Sequence, residues 1–261
     1  MGTSLVNLNT YHTPEKAHLS FKEKLRLNSR LYFTLKYAGT ILRSRKIAVR
    51  KEYDTQAWID SSLEIFDFIE DVGGKFHITG LENITKSEKP VVFISNHMST
   101  METMIFPGII APRRNITFVV KESLVSHPLF GDVMRSRKPI VVSRNDPRKD
   151  FEVVMTGGLE LLSKGNSIVI FPEGTRHIDF KASEFNSIGV KLAKKAGVQV
   201  VPIAIKTDFW GIGKVIKELA PIDRHKPIYI RFGEPFTVSG NGKEDNQKVI
   251  DFIQKAQEEW R

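Results

Sequence analysis

The sequence predicts an α/β fold with a largely parallel central sheet flanked by helices, preceded by a two-helix element. From Gly74 onward, short apolar runs rich in β-branched residues alternate with longer segments of helical periodicity. Such alternation is typical of parallel sheets whose helices cross between strands. Before Gly74 the apolar residues follow a helical spacing instead, and basic residues are interleaved with them.

Residues 1–72 are predicted to form the two-helix element, and residues 73–261 the main domain. The first helix is predicted within residues 21–51, where basic and apolar residues alternate at helical spacing. The second is predicted over residues 57–70, and the glycine pair that follows ends it. The basic residues of the first segment, whose one acid is Glu23, are Lys22, Lys24, Arg26, Arg30, Lys36, Arg43, Arg45, Lys46, Arg50 and Lys51.

This basic amphipathic pattern indicates a surface that binds an anionic membrane. Lysines and arginines reach the lipid headgroups while apolar residues lie at their boundary, and each basic residue contributes about 1 kcal/mol. The alternative is a helix that packs its apolar side on the main domain and leaves the rest in solvent. Both interpretations hold if the helix uses two faces. We find no secretory leader and no apolar run of about 18 residues, so the expected membrane contact is peripheral.

The main domain is predicted to alternate between strands and helices throughout. The predicted strands are residues 76–78, 91–95, 116–120, 140–143, 167–171, 200–205 and 228–232. The predicted helices lie at residues 151–164, 187–196 and 244–260, whereas residues 1–18 and 240–242 are expected to be loose. Because the carboxyl ends of parallel strands meet at one edge of a sheet, polar motifs that follow these strands should converge there.

Composition sets the class of protein but not its ligand. A chain of 261 residues, 41% of them hydrophobic, is long enough for one large α/β domain with a sizeable core. The 39 basic and 30 acidic residues give a net charge of +9, which suits an anionic surface, nucleic acid or a phosphorylated substrate. The absence of cysteine excludes disulfides, thiol nucleophiles and cysteine-based metal sites, and it fits a reducing compartment.

A polar turn follows the apolar run at residues 167–171. Pro172 and Gly174 end the predicted strand, and Arg176 comes directly after. Such a turn exposes backbone N–H groups, and a guanidinium adds donors that fit phosphate. The pattern therefore predicts an anion site. The alternative is that Glu173 and Arg176 form a surface ion pair beside a tight turn.

A histidine follows the apolar run at residues 91–95. Asn96 and His97 lie at a predicted strand-to-helix junction, and Glu102 lies in the helical pattern that follows. Histidine can take a proton near neutral pH, and a carboxylate bonded to its second ring nitrogen would orient it. Because five residues of helix turn by about 140°, this pairing requires His97 to lie at or before the helix start. The alternative is that Asn96 or Ser99 caps the helix and His97 is an incidental loop residue.

Together these motifs resemble the glycerolipid acyltransferase family, the group of 1-acylglycerol-3-phosphate acyltransferases and related enzymes. The family's first block is Asn-His, four residues, then usually Asp, and here the acid is Glu102. Its other blocks are similar to residues 121–146, 171–176 and 200–205. All four occur in order within about residues 90–210, and the resemblance extends over about residues 75–240.

The resemblance implies transfer of a fatty acyl group from a thioester to a hydroxyl of a phosphorylated glycerol, without a covalent acyl-enzyme. His97 would be the general base, and Glu102 would orient and stabilise its imidazole. Arg144 and Arg176 would clamp the acceptor phosphate. Backbone N–H groups near Gly174 or the fourth block would stabilise the oxyanion. The other substrate-binding residues that the resemblance implies are Asn96, Lys121, Glu173, Gly174 and Thr175.

The first acceptor that the resemblance implies is lysophosphatidate, which would give phosphatidate; glycerol 3-phosphate and other lysolipids are the alternatives. The donor is an acyl-CoA or acyl-carrier-protein thioester, and no metal or tightly bound cofactor is implied. We expect the protein to lie peripherally on the cytoplasmic face of a membrane.

Two other classes compete with this interpretation. A non-catalytic membrane-binding protein is one, since Glu102 stands where the family usually has Asp. A nucleic-acid-binding protein would explain the charge but would leave His97, Glu102 and the third block without a role, so no nucleic acid partner is expected. A serine hydrolase is excluded because the chain has no Gly-x-Ser-x-Gly motif.

Overall fold

The computed structural model describes residues 5–15, 30–211 and 222–261, and within these ranges the chain forms a mixed sheet with helices on both faces. The predicted α/β fold is confirmed, although the sheet is not wholly parallel. Its strands are β1 Thr10–His12, β2 Phe76–Thr79, β3 Val91–Ser95, β4 Ile116–Lys121, β5 Ile140–Val142, β6 Ser167–Ile170, β7 Gln199–Lys206, β8 Ile228–Phe232 and β9 Phe236–Thr237. Its helices are α1 Arg30–Val49, α2 Thr55–Asp71, α3 Met101–Ile110, α4 Glu122–Val125, α5 Gly131–Ser136, α6 Pro147–Ser163, α7 Ile188–Ala196 and α8 Lys243–Glu259.

The strand order is β1-β2-β8-β7-β3-β6-β4-β5, with β9 also paired to β7. The five neighbours β7, β3, β6, β4 and β5 run parallel to one another. Strands β8 and β2 are parallel to each other, but β8 is antiparallel to β7. Because β7, β3, β6, β4 and β5 share one direction, the residues that follow them meet at a single edge of the sheet, as the alternating pattern predicted.

Helices cover both faces of the sheet and enclose two clusters of buried apolar side chains. Helices α1, α2 and α3 contribute to one cluster, and α6, α7 and α8 to the other. Strand β3 is buried along its whole length. Its consecutive residues Phe93 and Ile94 belong to different clusters, one on each face of the sheet. A strand covered on both faces reads as a continuous apolar run, which is why the sequence predicted its position closely.

The two predicted N-terminal helices are α1 and α2, and both share the core of the sheet. Phe33 and Tyr37 of α1 pack edge-on against Trp210, with ring centroids 4.8 Å and 5.1 Å away. The Ser62 hydroxyl of α2 donates to the Met104 carbonyl at 2.6 Å and accepts from the Gly108 N–H at 2.7 Å. The carbonyl and the N–H are four residues apart in α3 and would otherwise bond each other. The Ser62 hydroxyl bridges them and thereby joins α2 to α3.

One face of α1 remains exposed. Leu35, Leu42 and Val49 are 62%, 54% and 58% exposed, and their spacing of seven residues places them on one face. The exposed basic side chains Lys36 and Arg43 lie beside them in the sequence. One face of α1 therefore packs on the main domain, as the alternative interpretation predicted, while membrane binding by the exposed face stays a prediction. The predicted helical residues 21–29 lie outside the described residues. No helix in the described part of the chain is long and apolar enough to cross a membrane.

The prediction of a loose segment before residue 18 was wrong for β1. Tyr11 pairs with Ile78 of β2 in an antiparallel ladder, and the Tyr11 hydroxyl donates to Glu70 Oε1 at 2.7 Å. Three residues are too few to show a strand periodicity, so only pairing with β2 defines this strand. The elements β9, α4 and α5 are also too short to show a periodicity, which is why they were not predicted.

Candidate active site

His97 lies in the turn between β3 and α3, and Glu102 lies in the first turn of α3. The ring nitrogen His97 Nδ1 and the carboxylate oxygen Glu102 Oε1 are 2.8 Å apart. Ser99 Oγ accepts from the Met101 N–H at 3.0 Å, and Glu102 Oε1 accepts from the Ser99 N–H at 2.8 Å. This arrangement is similar to a capping box, but Ser99 lies one residue before the N-cap, Thr100. The bond to the Ser99 N–H turns Glu102 back toward the residues before the helix.

The Glu102 carboxylate is fully buried and receives hydrogen bonds on both oxygens. Besides the His97 ring and the Ser99 N–H, its donors are the Met98 N–H at 2.7 Å and the hydroxyls of Ser99 and Thr207 at 2.9 Å and 2.8 Å. Burial by itself would raise the pKa of Glu102, but the hydrogen bonds and the His97 ring outweigh it and hold that pKa below its ordinary value. The carboxylate is therefore ionised at neutral pH, so Nδ1 carries the proton and Nε2 is the acceptor of the ring.

The segment after β6 holds His97 from its other sides. The Phe171 ring stacks on the imidazole, with centroids 4.4 Å apart. Glu173 Oε2 accepts from the His97 N–H at 2.8 Å, and the His177 N–H donates to the His97 carbonyl at 2.8 Å. The third sequence block therefore fixes both the ring and the backbone of the histidine in the first block.

Glu173 is a second buried carboxyl beside His97. Burial raises the pKa of Glu173 to about 7, and the nearby Glu102 and Glu184 carboxylates add to that rise. The N–H groups of His97 and Lys181, at 2.8 Å and 3.4 Å, offset only part of it. At neutral pH this carboxyl is therefore close to half protonated. It does not form the surface pair with Arg176 that the sequence left open.

The predicted residues His97, Lys121, Arg144 and Arg176 line one cavity of about 120 Å³, called the first cavity here. They follow or end β3, β4, β5 and β6, so the convergence of strand ends brings them together. Arg176 Nη1 donates to Thr100 Oγ1 at 2.5 Å. Lys121, Arg144 and Arg176 give the first cavity cationic groups that suit an anionic ligand.

Arg144 reaches the first cavity from a left-handed backbone position. Its φ is 63°, which is uncommon for a residue with a side chain, and the Asp150 carboxylate accepts from its N–H at 2.7 Å and from the Ser143 N–H at 2.8 Å. Burial, together with the neighbouring Arg176, lowers the pKa of Arg144 against the opposing effect of Asp150. Asp150 therefore holds the backbone of Arg144, whose guanidinium lies near the like charge of Arg176.

Most of the remaining lining of the first cavity is apolar, although Arg137 and three threonines also belong to it. A smaller cavity of about 40 Å³ beneath α1 and α2 shares Trp58, Met104, Phe130 and Met134 with it. A hydrocarbon chain fits such a lining better than a polar group does. The apolar residues that line the first cavity are Trp58, Met104, Phe118, Val119, Val120, Leu124, Phe130, Met134, Pro139 and Phe171.

Four predicted substrate-binding residues do not line the first cavity: Asn96, Glu173, Gly174 and Thr175. The buried Asn96 side chain donates to the Ile205 carbonyl at 3.0 Å and accepts from the Ile205 N–H at 2.9 Å. It thereby clamps the end of β3 to β7. The Gly174 N–H donates to the Phe171 carbonyl at 3.2 Å, so the amides of Ile205 and Gly174 already have partners. The substrate-binding roles of the four residues stay predictions. So does the oxyanion role of the backbone N–H groups near Gly174 or the fourth block.

Sequence reasoning gave no role to Ser99, Thr207 or the ring of Phe171. Ser99 was considered only as a cap, although Ser-x-x-Glu is the capping-box pattern that explains the position of Glu102. Thr207 follows β7, so it belongs to the same strand edge as the predicted motifs. Phe171 lies within the third block, but nothing in the sequence indicated a ring stacked on His97. Among the described residues, no three His, Cys, Asp or Glu side chains are arranged to hold a metal ion.

The arrangement supports one kind of chemistry. An imidazole oriented by an ionised carboxylate can take a proton from a hydroxyl that lies at Nε2. The cations of the first cavity can hold an anionic group of the same substrate, and the apolar lining can hold a hydrocarbon chain. The site is therefore suited to transferring a group to a hydroxyl of an anionic, partly apolar acceptor.

Comparison with known proteins identifies the class. The family model described as Acyltransferase matches residues 75–206, about half of the chain. The chain therefore belongs to the acyltransferase family, and the resemblance based on four sequence blocks is confirmed.

Particular relatives agree with this. A 1-acyl-sn-glycerol-3-phosphate acyltransferase of Pseudomonas aeruginosa is 39% identical over 51% of this chain and 49% of its own. A chloroplastic 1-acyl-sn-glycerol-3-phosphate acyltransferase of Arabidopsis thaliana is 32% identical over 64% of this chain and 43% of its own. The chain thus spans about half the length of the curated relatives it matches. The fold is similar to the crystal structure of the LPA acyltransferase PlsC from Thermotoga maritima, with a TM-score of 0.63 and 22% identity over 91% of this chain and 97% of that chain.

Proposed function

We propose that this protein transfers a fatty acyl group from a thioester to the free hydroxyl of lysophosphatidate, giving phosphatidate for phospholipid synthesis. The observation that carries the proposal is the His97–Glu102 pair, 2.8 Å apart, beside a cavity whose lining combines several cations with many apolar side chains. The curated relatives named for this acceptor support the choice of substrate.

In the proposed reaction, His97 Nε2 takes the proton of the acceptor hydroxyl as the oxygen attacks the thioester carbonyl. The Glu102 carboxylate stabilises the imidazolium that forms. When the tetrahedral intermediate collapses, the carbon–sulfur bond breaks and the thiolate takes the proton from the imidazolium. The products are an ester and a free thiol, and His97 returns to its starting form.

Arg144 and Arg176 hold the acceptor phosphate in this proposal, with Lys121 as a third cation at the rim. Their contribution is positional, because a phosphate fixed by two guanidinium groups places the hydroxyl within reach of Nε2. The acyl chains lie along the apolar lining, next to Trp58 and Met104.

Glu173 acts through His97 in this proposal and does not bind the acceptor. Its carboxyl is buried, accepts the His97 N–H and lies away from the first cavity. We assign Asn96 a similar positioning role, because its amide is paired with Ile205 on both sides.

We further propose that residues 1–72 attach the protein to the surface of an anionic membrane on its cytoplasmic face. Leu35, Leu42 and Val49 would enter the headgroup layer while basic residues of α1 contact the phosphates. Helix α2 packs against α3, which carries Glu102, so attachment through α1 would bring the first cavity close to lipid. Lysophosphatidate would then reach it without crossing water.

The reaction is tested with purified protein, acyl-CoA or acyl carrier protein, and three acceptors in parallel: lysophosphatidate, glycerol 3-phosphate and lysophosphatidylglycerol. Mass spectrometry identifies the products, and the folded His97→Ala variant is the control. Phosphatidate made only by the unmodified protein is the expected result. Product from glycerol 3-phosphate instead would keep the mechanism and change the acceptor. No product from any combination would favour a non-catalytic, membrane-binding protein.

Membrane attachment is tested by sedimentation with vesicles of phosphatidylglycerol. The double variant Leu35→Asp, Leu42→Asp should lose most of its binding, while Val153→Asp serves as a matched control because Val153 is exposed on the opposite side of the sheet. Binding should also weaken as salt is raised. Equal binding by the double variant and the control would exclude α1 as the attachment surface.

A further inference from the structure

A second cavity lies at the same strand edge as the first cavity but on the other face of the sheet. Its volume is about 520 Å³, several times that of the first cavity. The beginnings of α6 and α7 form its walls, and Val142, Val154 and Ile170 of the cluster on that face form its floor. None of the roles proposed for His97 or its partners uses this space.

The two cavities adjoin each other at three shared residues. Val119, Arg144 and Phe171 line both. Phe171, whose ring stacks on His97, thus belongs to the lining of both cavities. A molecule that extended past Arg144 and Phe171 would reach both cavities close to the His97 ring.

The second cavity has an apolar floor and a polar, basic rim. Ser187 and Asn186 lie on its rim, and Lys191 lies there too, with its ammonium 5.7 Å from the centre of the Phe151 ring. The Asp150 carboxylate is occupied by the N–H groups of Ser143 and Arg144. Such a lining suits a long, largely neutral chain with amide groups that ends in a phosphate.

The turn of the third block also leaves room beside the second cavity. Gly174 lines the second cavity with a φ of 69°, and a side chain built there would meet no atom within 4 Å. The positive φ accounts for glycine at this position, and the empty space beside it is available to a ligand.

The acyl donor needs a place for the part of the molecule beyond its sulfur. In the proposed function the first cavity takes the acceptor phosphate and an acyl chain, so the rest of the donor needs a separate place. Every acyl-CoA and every acyl carrier protein joins its thioester to a phosphate through the same pantetheine chain. The shared chemistry of the two donors therefore matches the lining of the second cavity.

We propose that the second cavity binds the phosphopantetheine arm of the acyl donor, with the thioester passing Arg144 and Phe171 into the first cavity. This inference rests on the proposed function, since it names where the donor of that reaction lies. The acceptor and the donor arm then approach His97 from opposite faces of the sheet.

Two variants test the second cavity without touching the first. Ser187→Trp places an indole at the mouth of the second cavity, and the Ser187 side chain makes no capping hydrogen bond that would be lost. Lys191→Glu reverses the charge at the rim. Lys195→Glu is the matched control, because Lys195 is exposed one turn further along α7 and does not line the cavity. Circular dichroism confirms that each variant is folded.

In steady-state assays, the two test variants should raise the KM for the donor about tenfold, with the KM for the acceptor and the kcat at saturating donor unchanged. Acyl-CoA, acyl carrier protein and acyl-pantetheine are compared as donors. Support would be a higher KM for acyl-CoA and acyl carrier protein in both variants, and for acyl-pantetheine, which lacks the phosphate, in Ser187→Trp alone. An increase confined to acyl-CoA would place the nucleotide there instead and overturn it, as would a higher acceptor KM or unchanged kinetics.

Calorimetry with coenzyme A and with 4′-phosphopantetheine separates this inference from the proposed function, because it needs no acyl transfer. Binding by the unmodified protein and by Lys195→Glu, lost in Ser187→Trp, supports the donor-arm site whatever the acceptor proves to be. If neither compound binds the unmodified protein, the inference fails while the proposed function stands on its own assay.

Discussion

The segments after β3 and β6 each provide a buried glutamate that bonds to His97, yet the pKa values of the two carboxyls shift in opposite directions. Glu102 is fully buried, yet its pKa is below the ordinary value, whereas burial raises the pKa of Glu173 to about 7. Burial opposes the charge of both groups. The pKa of Glu102 is nevertheless lowered because the His97 ring and backbone N–H groups donate to its carboxylate, while Glu173 accepts two N–H groups, one of them at 3.4 Å.

This difference separates two ways of supporting a catalytic histidine. An ionised carboxylate on the ring fixes the tautomer and stabilises the imidazolium. A carboxyl on the backbone needs only an acceptor oxygen, and it keeps that oxygen whether or not it is protonated. Substitutions that remove charge should therefore affect the two positions unequally.

The largest effect is expected for Glu102→Gln. The amide keeps the shape and can turn its oxygen toward His97, but it removes the charge that stabilises the imidazolium. We expect kcat to fall by about 10³-fold with little change in KM, measured by steady-state acyl transfer. Glu102→Asp is the companion variant, which retains the charge on a shorter arm and should keep more activity. A kcat for Glu102→Gln within a few-fold of the unmodified protein would contradict the role of the charge.

A smaller effect is expected at Glu173, and it should depend on the acceptor oxygen and not on charge. Glu173→Ala leaves the buried His97 N–H without its partner, which costs roughly 1–3 kcal/mol and should lower kcat by about tenfold to a hundredfold. Glu173→Gln should restore most of that loss, with the acceptor KM unchanged in both variants. An increase in acceptor KM would show instead that Glu173 binds the acceptor.

The stability of the protein should reveal the protonation of Glu173. Because its pKa in the folded protein is about 7, above its ordinary 4.5, the folded state binds this proton more tightly than the unfolded state does. Stability contributed by this group is therefore greatest at low pH and is lost as the pH rises toward 7.

Chemical denaturation of the unmodified protein and of Glu173→Gln measures this effect. Between about pH 5.5 and pH 8, the unmodified protein should lose about 2 kcal/mol more unfolding free energy than the variant does. Other titrating groups are common to both proteins and cancel in the comparison. Parallel pH profiles would mean that the Glu173 carboxyl has an ordinary pKa.

The smallest effect is expected for Thr207→Val, which removes one of the donors to Glu102 while keeping the volume. The free energy of unfolding should fall by about 1–2 kcal/mol, and kcat should fall about threefold as the carboxylate loses a hydrogen bond. Thr207→Ser keeps the hydroxyl and should behave like the unmodified protein in both measurements. If Thr207→Ser were as impaired as Thr207→Val, the lost packing and not the hydrogen bond would be responsible.

The sequence predicted most of the strands and helices that carry the candidate site. It predicted fewer of the side-chain contacts within that site. The strands at residues 91–95 and 228–232 were placed to the residue, and others differ by one or two positions at their ends. Long helices were also found, although α6 begins at Pro147, four residues before its predicted start. Asp146 caps that helix through the N–H groups of Arg148 and Lys149, a local signal that apolar periodicity does not detect.

The candidate site shows the same division. That His97, Lys121, Arg144 and Arg176 share a cavity follows from their places after parallel strands. That Glu173 faces the backbone of His97 does not follow, because the direction of one side chain in a turn depends on the packing around it. The Asn96 clamp on Ile205 depends likewise on β3 and β7 being neighbours, although about a hundred residues separate them in the chain.

By itself, the sequence determined the alternation of strands and helices, the family and the order of the motif blocks. These depend on apolar spacing, on glycine and proline at strand ends, and on residues a few positions apart. Only the tertiary structure decided how the carboxyls of Glu102 and Glu173 differ, where Thr207 contributes, and that a second cavity lies across the sheet from the first. Those features depend on strand order and on burial, which bring together atoms far apart in the chain and set the pKa of each group by the donors that surround it.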